Sequence, residues 1–226
     1  MSIDVIDPTA ELDVPSGGYG LVVAGWFRNM DYSQAINWFI EKKAFSDRLL
    51  FGNSYGTQTS LRLISDNNGE IDAIDSSYTG WVWGCIVATI GVGGVLYWRK
   101  ESGTSLSSVT LPATDFDTSD YVKFLRGEFG NIAHMRGSLL RIWTDKTSFS
   151  SLVSDLLAES GSTTAIKRTG LIFESSCAIA TTIGADTSGN GNNATAVGTY
   201  TLNSDEPNIS LGAAVTIPTY STYRTA

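Results

Sequence analysis

The sequence predicts an all-β chain of two packed antiparallel sheets, with one short amphipathic helix near residues 148–159. Three observations carry this. Short β-rich runs recur between turn signals, about eleven or twelve of them, as sandwiches require. The stretch from Gly80 to Lys100 reads as a β-hairpin holding three of the six tryptophans. Only one segment changes to helical period, with Phe149, Leu152, Val153, Leu156 and Leu157 on one stripe.

The hairpin organises the rest. In its first half Trp81, Trp83, Cys85 and Val87 alternate with Val82, Ile86 and Ala88. Period two means a strand whose faces meet different surroundings. Gly91, Gly93 and Gly94 supply the backbone freedom for a reversal, and Val95 to Arg99 forms the return strand. Rings of this size bury large areas, so the hairpin is expected inside a sheet rather than at an edge. A membrane span is not expected: the uncharged run Cys85–Trp98 is 14 residues, against roughly 20 for a spanning helix.

The remaining elements follow in order. Residues 1–18, with Pro8, Pro15 and Gly17-Gly18, read as an extended arm. Tyr19 to Phe27 has almost no polar position and is expected to be covered on both faces. Ala35 to Lys42 reads as a strand or a helical turn, with Ile36, Trp38 and Ile40 favouring the strand. Arg48–Gly52, Ser60–Ile64 and Glu70–Ile74 are strands, the last two separated by the turn Asp66–Gly69. Glu101 to Val109 reads as a Ser/Gly loop, Tyr121 to Arg126 as a weak strand and Leu139 to Trp143 as a strong one. Thr147 or Ser148 can cap the helix and Gly161 lies just past it. Without a second helix to pair with, it must lie on a sheet. Gly170–Phe173, Ala196–Leu202 and Ala213–Ile217 complete the strands, and 217–226 is a polar tail. No linker divides 19–216, which is taken as one sandwich.

Composition narrows function. A net charge of −8 without any Lys/Arg run argues against nucleic acid as a partner. The opening residues Met1–Pro8 have neither a basic start nor an apolar core, so no secretion signal is expected and synthesis in a host cytoplasm is. Cys85 and Cys177 sit in apolar runs and read as buried free thiols.

Four stretches resemble one family. Trp83-x-x-Ile-Val-Ala-Thr89, a glycine turn, then Val95-Leu-Tyr-Trp98 resembles the central hairpin of concanavalin A-like jelly rolls, the laminin G-like and pentraxin-like domains. Tyr19–Phe27 is similar to their early strand, and Gly137–Trp143 with the following helix to their late strand–helix segment. Asp186-Thr-Ser-Gly-Asn-Gly-Asn-Asn-Ala194 is similar to their "D-x-S-G-N-G-N-x-A-T" turn. In many secreted relatives that turn opens the domain. Here it follows the helix, an order similar to small stand-alone proteins of tailed phages. The resemblance implies a jelly-roll sandwich in a superfamily of lectins, glycosidases and structural modules.

Several residues could carry chemistry. Glu70-Ile-Asp72-Ala-Ile-Asp75 resembles the catalytic strand of laminarinase-like glycosidases of this fold, where retaining hydrolysis needs carboxylates about 5–5.5 Å apart. Its last acid is Asp rather than Glu, and a solvent-facing hairpin explains the acids as well. Asp186, Asn190, Asn192 and Asn193 offer oxygen ligands for Ca2+, but the spacing is not that of an EF-hand and the same residues satisfy a tight turn. His134 is the only histidine, which excludes His-paired zinc. The Gly91–Gly94 cluster lacks a following helix and a Lys-Ser/Thr pair, so it is no phosphate cradle. Tyr32, Tyr55 and Tyr78 lie in loops and could stack on sugars.

The reading drawn from these is a chain that is not an enzyme and needs no cofactor, a virion component made without secretion. Capsid decoration is its first form, with Ser2–Gly18 and Ile217–Ala226 as assembly contacts. Other virion proteins (the major capsid protein or tail components) would be its partners, in an oligomer or on a particle. A carbohydrate-binding adhesion module recognising cell-surface glycans is the alternative, and a β-glycanase the third.

Overall fold

The computed structural model describes residues 2–6, 20–29, 37–43, 48–53, 61–65, 69–74, 78–89, 93–112, 121–127, 135–176, 184–197 and 205–211. Among the described residues, thirteen strands form two antiparallel sheets. The seven-stranded sheet holds β1 (Ser2–Ile6), β3 (Asn37–Lys43), β4 (Arg48–Asn53), β5 (Leu61–Ser65), β6 (Gly69–Ile74), β10 (Tyr121–Gly127) and β13 (Thr195–Val197) in the order β13-β1-β10-β3-β4-β5-β6. The six-stranded sheet holds β2 (Gly20–Asn29), β7 (Val82–Thr89), β8 (Gly93–Lys100), β9 (Ser107–Pro112), β11 (Met135–Trp143) and β12 (Leu171–Ser175) in the order β12-β11-β2-β7-β8-β9. The expected two-sheet jelly-roll sandwich is the observed architecture.

The hairpin β7–β8 lies inside its sheet, flanked by β2 and β9. Its alternation is realised: Val82, Ile86 and Ala88 join the core between the sheets, while Trp81, Trp83, Cys85 and Val87 join a second core on the outer face. The same division holds in β2, where Leu21, Val23 and Phe27 point inward and Val22, Ala24 and Trp26 outward. A strand buried on both faces reads as a continuous apolar run, which is why Tyr19–Phe27 lacks polar positions. The inner core is aromatic at its centre, with Phe27 stacked on Phe39 at 5.1 Å and Phe51 edge-on to Phe39 at 5.3 Å. Cys85 is buried and its thiol is free; burial pushes it well above the usual thiol range.

The outer core exists because α1 (Leu152–Ser160) lies against the six-stranded sheet. The helix is shorter than expected. Lys146–Ser148 is a single 3-10 turn, and Phe149 precedes the helix while packing edge-on against Trp143 at 5.3 Å. The cap is Ser151 rather than Thr147 or Ser148, and the bond runs in reverse: the Ser151 N–H donates to the Asp155 carboxylate at 3.1 Å. Val153, expected on the buried stripe, is 52% exposed. Leu156 is the one apolar residue the nine-residue helix buries fully, beside the buried polar Glu159 and Ser160.

Two further expectations are corrected. Residues 2–6 are no extended arm: β1 pairs with β10 on one side and β13 on the other. The Ser/Gly loop ends earlier than expected, since Ser107–Pro112 is strand β9 paired to β8. Its Ser107, Ser108 and Thr110 are exposed, and only Val109 and Leu111 turn to the inner core, an alternation too short to stand out from the serine-rich loop before it. Of the stretch 35–42, the described residues 37–42 take the strand option. The Ala213–Ile217 strand and the 217–226 tail lie outside the described residues, as does Cys177. Among the described residues, no helix is long and apolar enough to cross a membrane.

Candidate functional site

One end of the sandwich gathers functional groups from distant parts of the chain. Residues 78–81 lead into β7, Lys100 and Glu101 end β8, and Asp205–Leu211 crosses as a strap over the outer face of the six-stranded sheet. Tyr78 is half-buried; its hydroxyl donates to the Trp81 carbonyl at 3.1 Å, and the Lys100 ammonium lies 4.6 Å from its ring centre. Burial, reinforced by the charge on Glu101, holds the Tyr78 phenol above its ordinary pKa. Beside it the Arg28 Nε–H donates to the Thr79 carbonyl at 2.7 Å. Arg28 and Arg136 both ion-pair with the same oxygen of Asp205. These arginines are direct register partners on β2 and β11. Like charges placed opposite one another repel, so the shared carboxylate is what makes the pairing tolerable.

Two buried arginines fix this end. Arg99 is 1% exposed and stacks on Trp26 with 4.6 Å between guanidinium and ring. Its donors reach the Ser160 hydroxyl at 2.6 Å and the carbonyls of Ser160, Ile209 and Gly103 at 2.9, 2.9 and 3.0 Å. One side chain thus ties β8, the helix C-terminus and the strap together. Burial lowers its pKa to about 10, so it stays charged at neutral pH. Arg141 donates to the Glu159 carbonyl and carboxylate, both at 3.0 Å, and to the Ser162 carbonyl at 2.7 Å. Glu174, its register partner on β12, is 3.4 Å away. A bulge between Ser138 and Arg141 lets both residues serve the outer face, where Ser138 donates to Glu206 of the strap at 3.2 Å.

The Asp186–Asn193 turn has a structural task. Asp186 accepts from the N–H groups of Ser188 at 2.8 Å, Glu174 at 3.0 Å and Asn192 at 3.0 Å, and from the Ser188 hydroxyl at 2.7 Å. Asn190 and Asn192 donate their amides to the Leu171 and Ile172 carbonyls at 2.7 and 2.8 Å, and Asn193 accepts from the Asp186 N–H at 2.9 Å. The turn therefore covers β12, which closes one edge of its sheet, with side chains in place of a neighbouring strand. A calcium ion here would have to displace these donors. Burial pushes the Asp186 carboxyl up, but the donors of Ser188, Glu174 and Asn192 together hold it below its ordinary value.

A carboxyl with a depressed folded pKa stabilises above its unfolded value of 3.8, and that stability is lost as pH falls through the folded pKa. Asp186→Ala is expected to cost about 2 kcal/mol, as several buried donors lose one acceptor. Its stability should also vary less with pH below 4 than the wild type's in acid-titrated urea unfolding. A variant as stable as wild type would assign the turn no anchoring role.

The other expected site residues disperse. Asp72 is exposed and ion-paired to Arg62 at 2.6 Å, its register partner; Glu70 lies opposite Ile64 in register. Asp75, Tyr32, Tyr55 and His134 lie outside the described residues. Tyr78 is therefore the described member of the tyrosine set, and sequence reasoning missed its companions Arg28, Arg136 and Asp205. Also missed was Glu41 on β3, whose carboxylate is fully buried. A bulge between Trp38 and Ile40 sends both Phe39 and Ile40 inward and leaves Trp38 to pack with Leu50 and Ile64 outside the inner core. Among the described residues, no group of three His, Cys, Asp or Glu side chains could hold a metal.

The sheets and their order define a two-sheet antiparallel β-sandwich. Among solved structures, a native heptameric SAP-like pentraxin from Limulus polyphemus is similar over 68% of this chain and 74% of its own, at 13% identity and a TM-score of 0.42. A receptor binding domain is similar over 56% of this chain at 15% identity and a TM-score of 0.40; the match spans about a third (32%) of that structure. A Scytalido-glutamic peptidase with a peptide-based transition state analog is similar over 57% of this chain and 79% of its own, at 13% identity and a TM-score of 0.40. No protein-family model and no curated protein matches the chain. The expectation that the chain is not an enzyme is corrected by the peptidase, since its structural neighbours include a catalyst. At this identity the likeness is one of fold, and it assigns no reaction here.

Proposed function

We propose that this chain is an adhesion module carried on a virion, recognising carbohydrate at the sandwich end built around Tyr78. The observation that carries the reading is the fixing of that ring by the Trp81 carbonyl and Lys100, beside exposed Thr79 and within a set of charged hydrogen-bonding groups. Sugar sites combine a rigid aromatic surface with a few polar groups that fix orientation. The order of the sequence motifs, with the Ser188–Asn192 turn after the helix, supports the virion setting, and capsid or tail proteins would hold the module there. Decoration by a clasping N-terminal arm has less support, because residues 2–6 are built into a sheet. Tyr78→Ala should weaken binding on a glycan array at least tenfold in protein that still unfolds cooperatively, at a midpoint lowered by the loss of a ring packed on the inner core, and Tyr78→Phe should retain most binding. Equal binding by Tyr78→Ala and wild type would remove Tyr78 from the site, and silence of the wild type across host glycans would remove the reading.

A further inference from the structure

The strap Asp205–Leu211 is tied down by side chains. Arg99 holds the Ile209 carbonyl, Ser138 holds Glu206, and the Arg28–Arg136 pair holds Asp205, while Pro207 and Ile209 are buried. The arginine pair differs from the other contacts. Arg99 sits in the interior, whereas Arg28 and Arg136 keep 27% and 26% of their side chains in solvent and Asp205 keeps 34%. Two guanidiniums on neighbouring strands converge on one carboxylate oxygen of Asp205. A sulfate brings more oxygens to that fork, and a sugar carboxylate free of the strap can turn both of its oxygens to it, since guanidiniums pair with oxyanions in bidentate fashion.

We infer that Arg28 and Arg136 form an oxyanion site that Asp205 fills from within the chain, and that an acidic sugar bearing a sulfate or carboxylate takes the place of Asp205. The inference names the ligand class of the adhesive end and so rests on the adhesion reading, with Tyr78 and Thr79 adjoining through the Arg28–Thr79 bond. The exchange leaves the charge balance of the arginine pair intact. It costs the contacts of the strap's first two residues, while Arg99 keeps its hold on Ile209. Occupation of the site is therefore coupled to the position of residues 205–206, and the strap acts as a competitor that sets a threshold for ligand.

The test is titration of the full chain with sodium sulfate, glucuronic acid and glucose at constant ionic strength. Asp205→Asn should bind sulfate or glucuronic acid at least tenfold more tightly than wild type, with glucose unchanged, and adding Arg136→Gln should cancel the gain. A gain for sulfate alone assigns the site to sulfated sugars, and a gain for glucuronic acid alone to carboxylated ones. No gain, or a gain that survives Arg136→Gln, overturns the proposal. Should Asp205→Asn fail to fold, wild type decides: a protease that cuts on the N-terminal side of aspartate should cut before Asp205 at least threefold faster in saturating sulfate. Unchanged or slower cutting overturns the latch. The two readings fail separately. Neutral-glycan binding lost in Tyr78→Ala, without any sulfate gain in Asp205→Asn, leaves adhesion and removes the oxyanion site; the converse pattern leaves the oxyanion site and removes adhesion to neutral glycans.

Discussion

Arg141→Met is expected to destabilise the protein by about 3–5 kcal/mol, because it leaves the buried Glu159 carboxylate without its cation, while Glu174 keeps Arg168 at 2.7 Å. Glu159 and Glu174 are both buried, and Arg141 is the side chain within reach of both. Its remaining donors hold the carbonyls of Glu159 and Ser162, where α1 ends and its last carbonyls lack helical partners. The loss should appear as a lower urea midpoint and as protease cleavage within residues 152–170. Arg141→Lys should recover only part, since an ammonium on a straight stem cannot serve several acceptors in a fork. The partly exposed pair Lys167–Asp155, which joins the helix to the segment after it, gives the contrast, because its removal should cost only about 0–1 kcal/mol. The deficit should also shrink in acid. Burial already holds the Glu159 carboxyl above its ordinary 4.5, and losing the cation raises it further. A carboxyl that binds its proton more tightly when folded loses stability as pH rises from its unfolded value through the folded one. Arg141→Met should therefore lie closer to wild type at pH 5 than at pH 7; an equal deficit at both would mean the carboxylates are not what the arginine serves.

The parts of the fold visible in the sequence are those where one residue's burial follows from its neighbours' period. Trp81 to Ala88 alternates because each face meets a different core, and the alternation survives in the structure residue by residue. Val153 misled because a one-turn contact patch needs fewer apolar positions than the stripe supplied. β9 was invisible because its outward residues are serine and threonine, which mark loops and edges equally. The strap and the arginine pair were beyond reach for a different reason. Arg28, Arg136 and Asp205 are 108 and 69 residues apart along the chain, and only the pairing of β2 with β11 brings them together. The two buried arginines could have been suspected. Arg99 ends an apolar run beside Trp98 and Arg141 interrupts one two residues before Trp143, where a lone charge is either a solvent-facing position or a buried anchor, and sequence offers no means to choose.

Gly84→Ala is the second substitution expected to act strongly, and it works through the distance between the sheets. A Cβ on Gly84 would lie 2.2 Å from Cε1 and 2.8 Å from Cδ1 of Phe51, which belongs to the facing sheet. The ring cannot swing aside: Phe51 is fully buried and packs edge-on against Phe27 at 6.3 Å and Phe39 at 5.3 Å. Gly25, the register partner of Gly84 on β2, is equally tight, with Phe27 and Leu140 atoms at 2.7 and 2.8 Å from its would-be Cβ. The two glycines let the aromatic layer approach the backbone of the central strands. A methyl group at Gly84 should cost about 1–3 kcal/mol through overpacking, although alanine is otherwise easier to order than glycine. Phe51→Leu alone should also destabilise, by opening a void. Combined with Gly84→Ala, it should cost less than the sum of the two, because the shorter side chain vacates the space the methyl needs. Strict additivity in that double-mutant cycle, read from urea midpoints at constant m-value, would mean that contact between these residues does not set the spacing of the sheets.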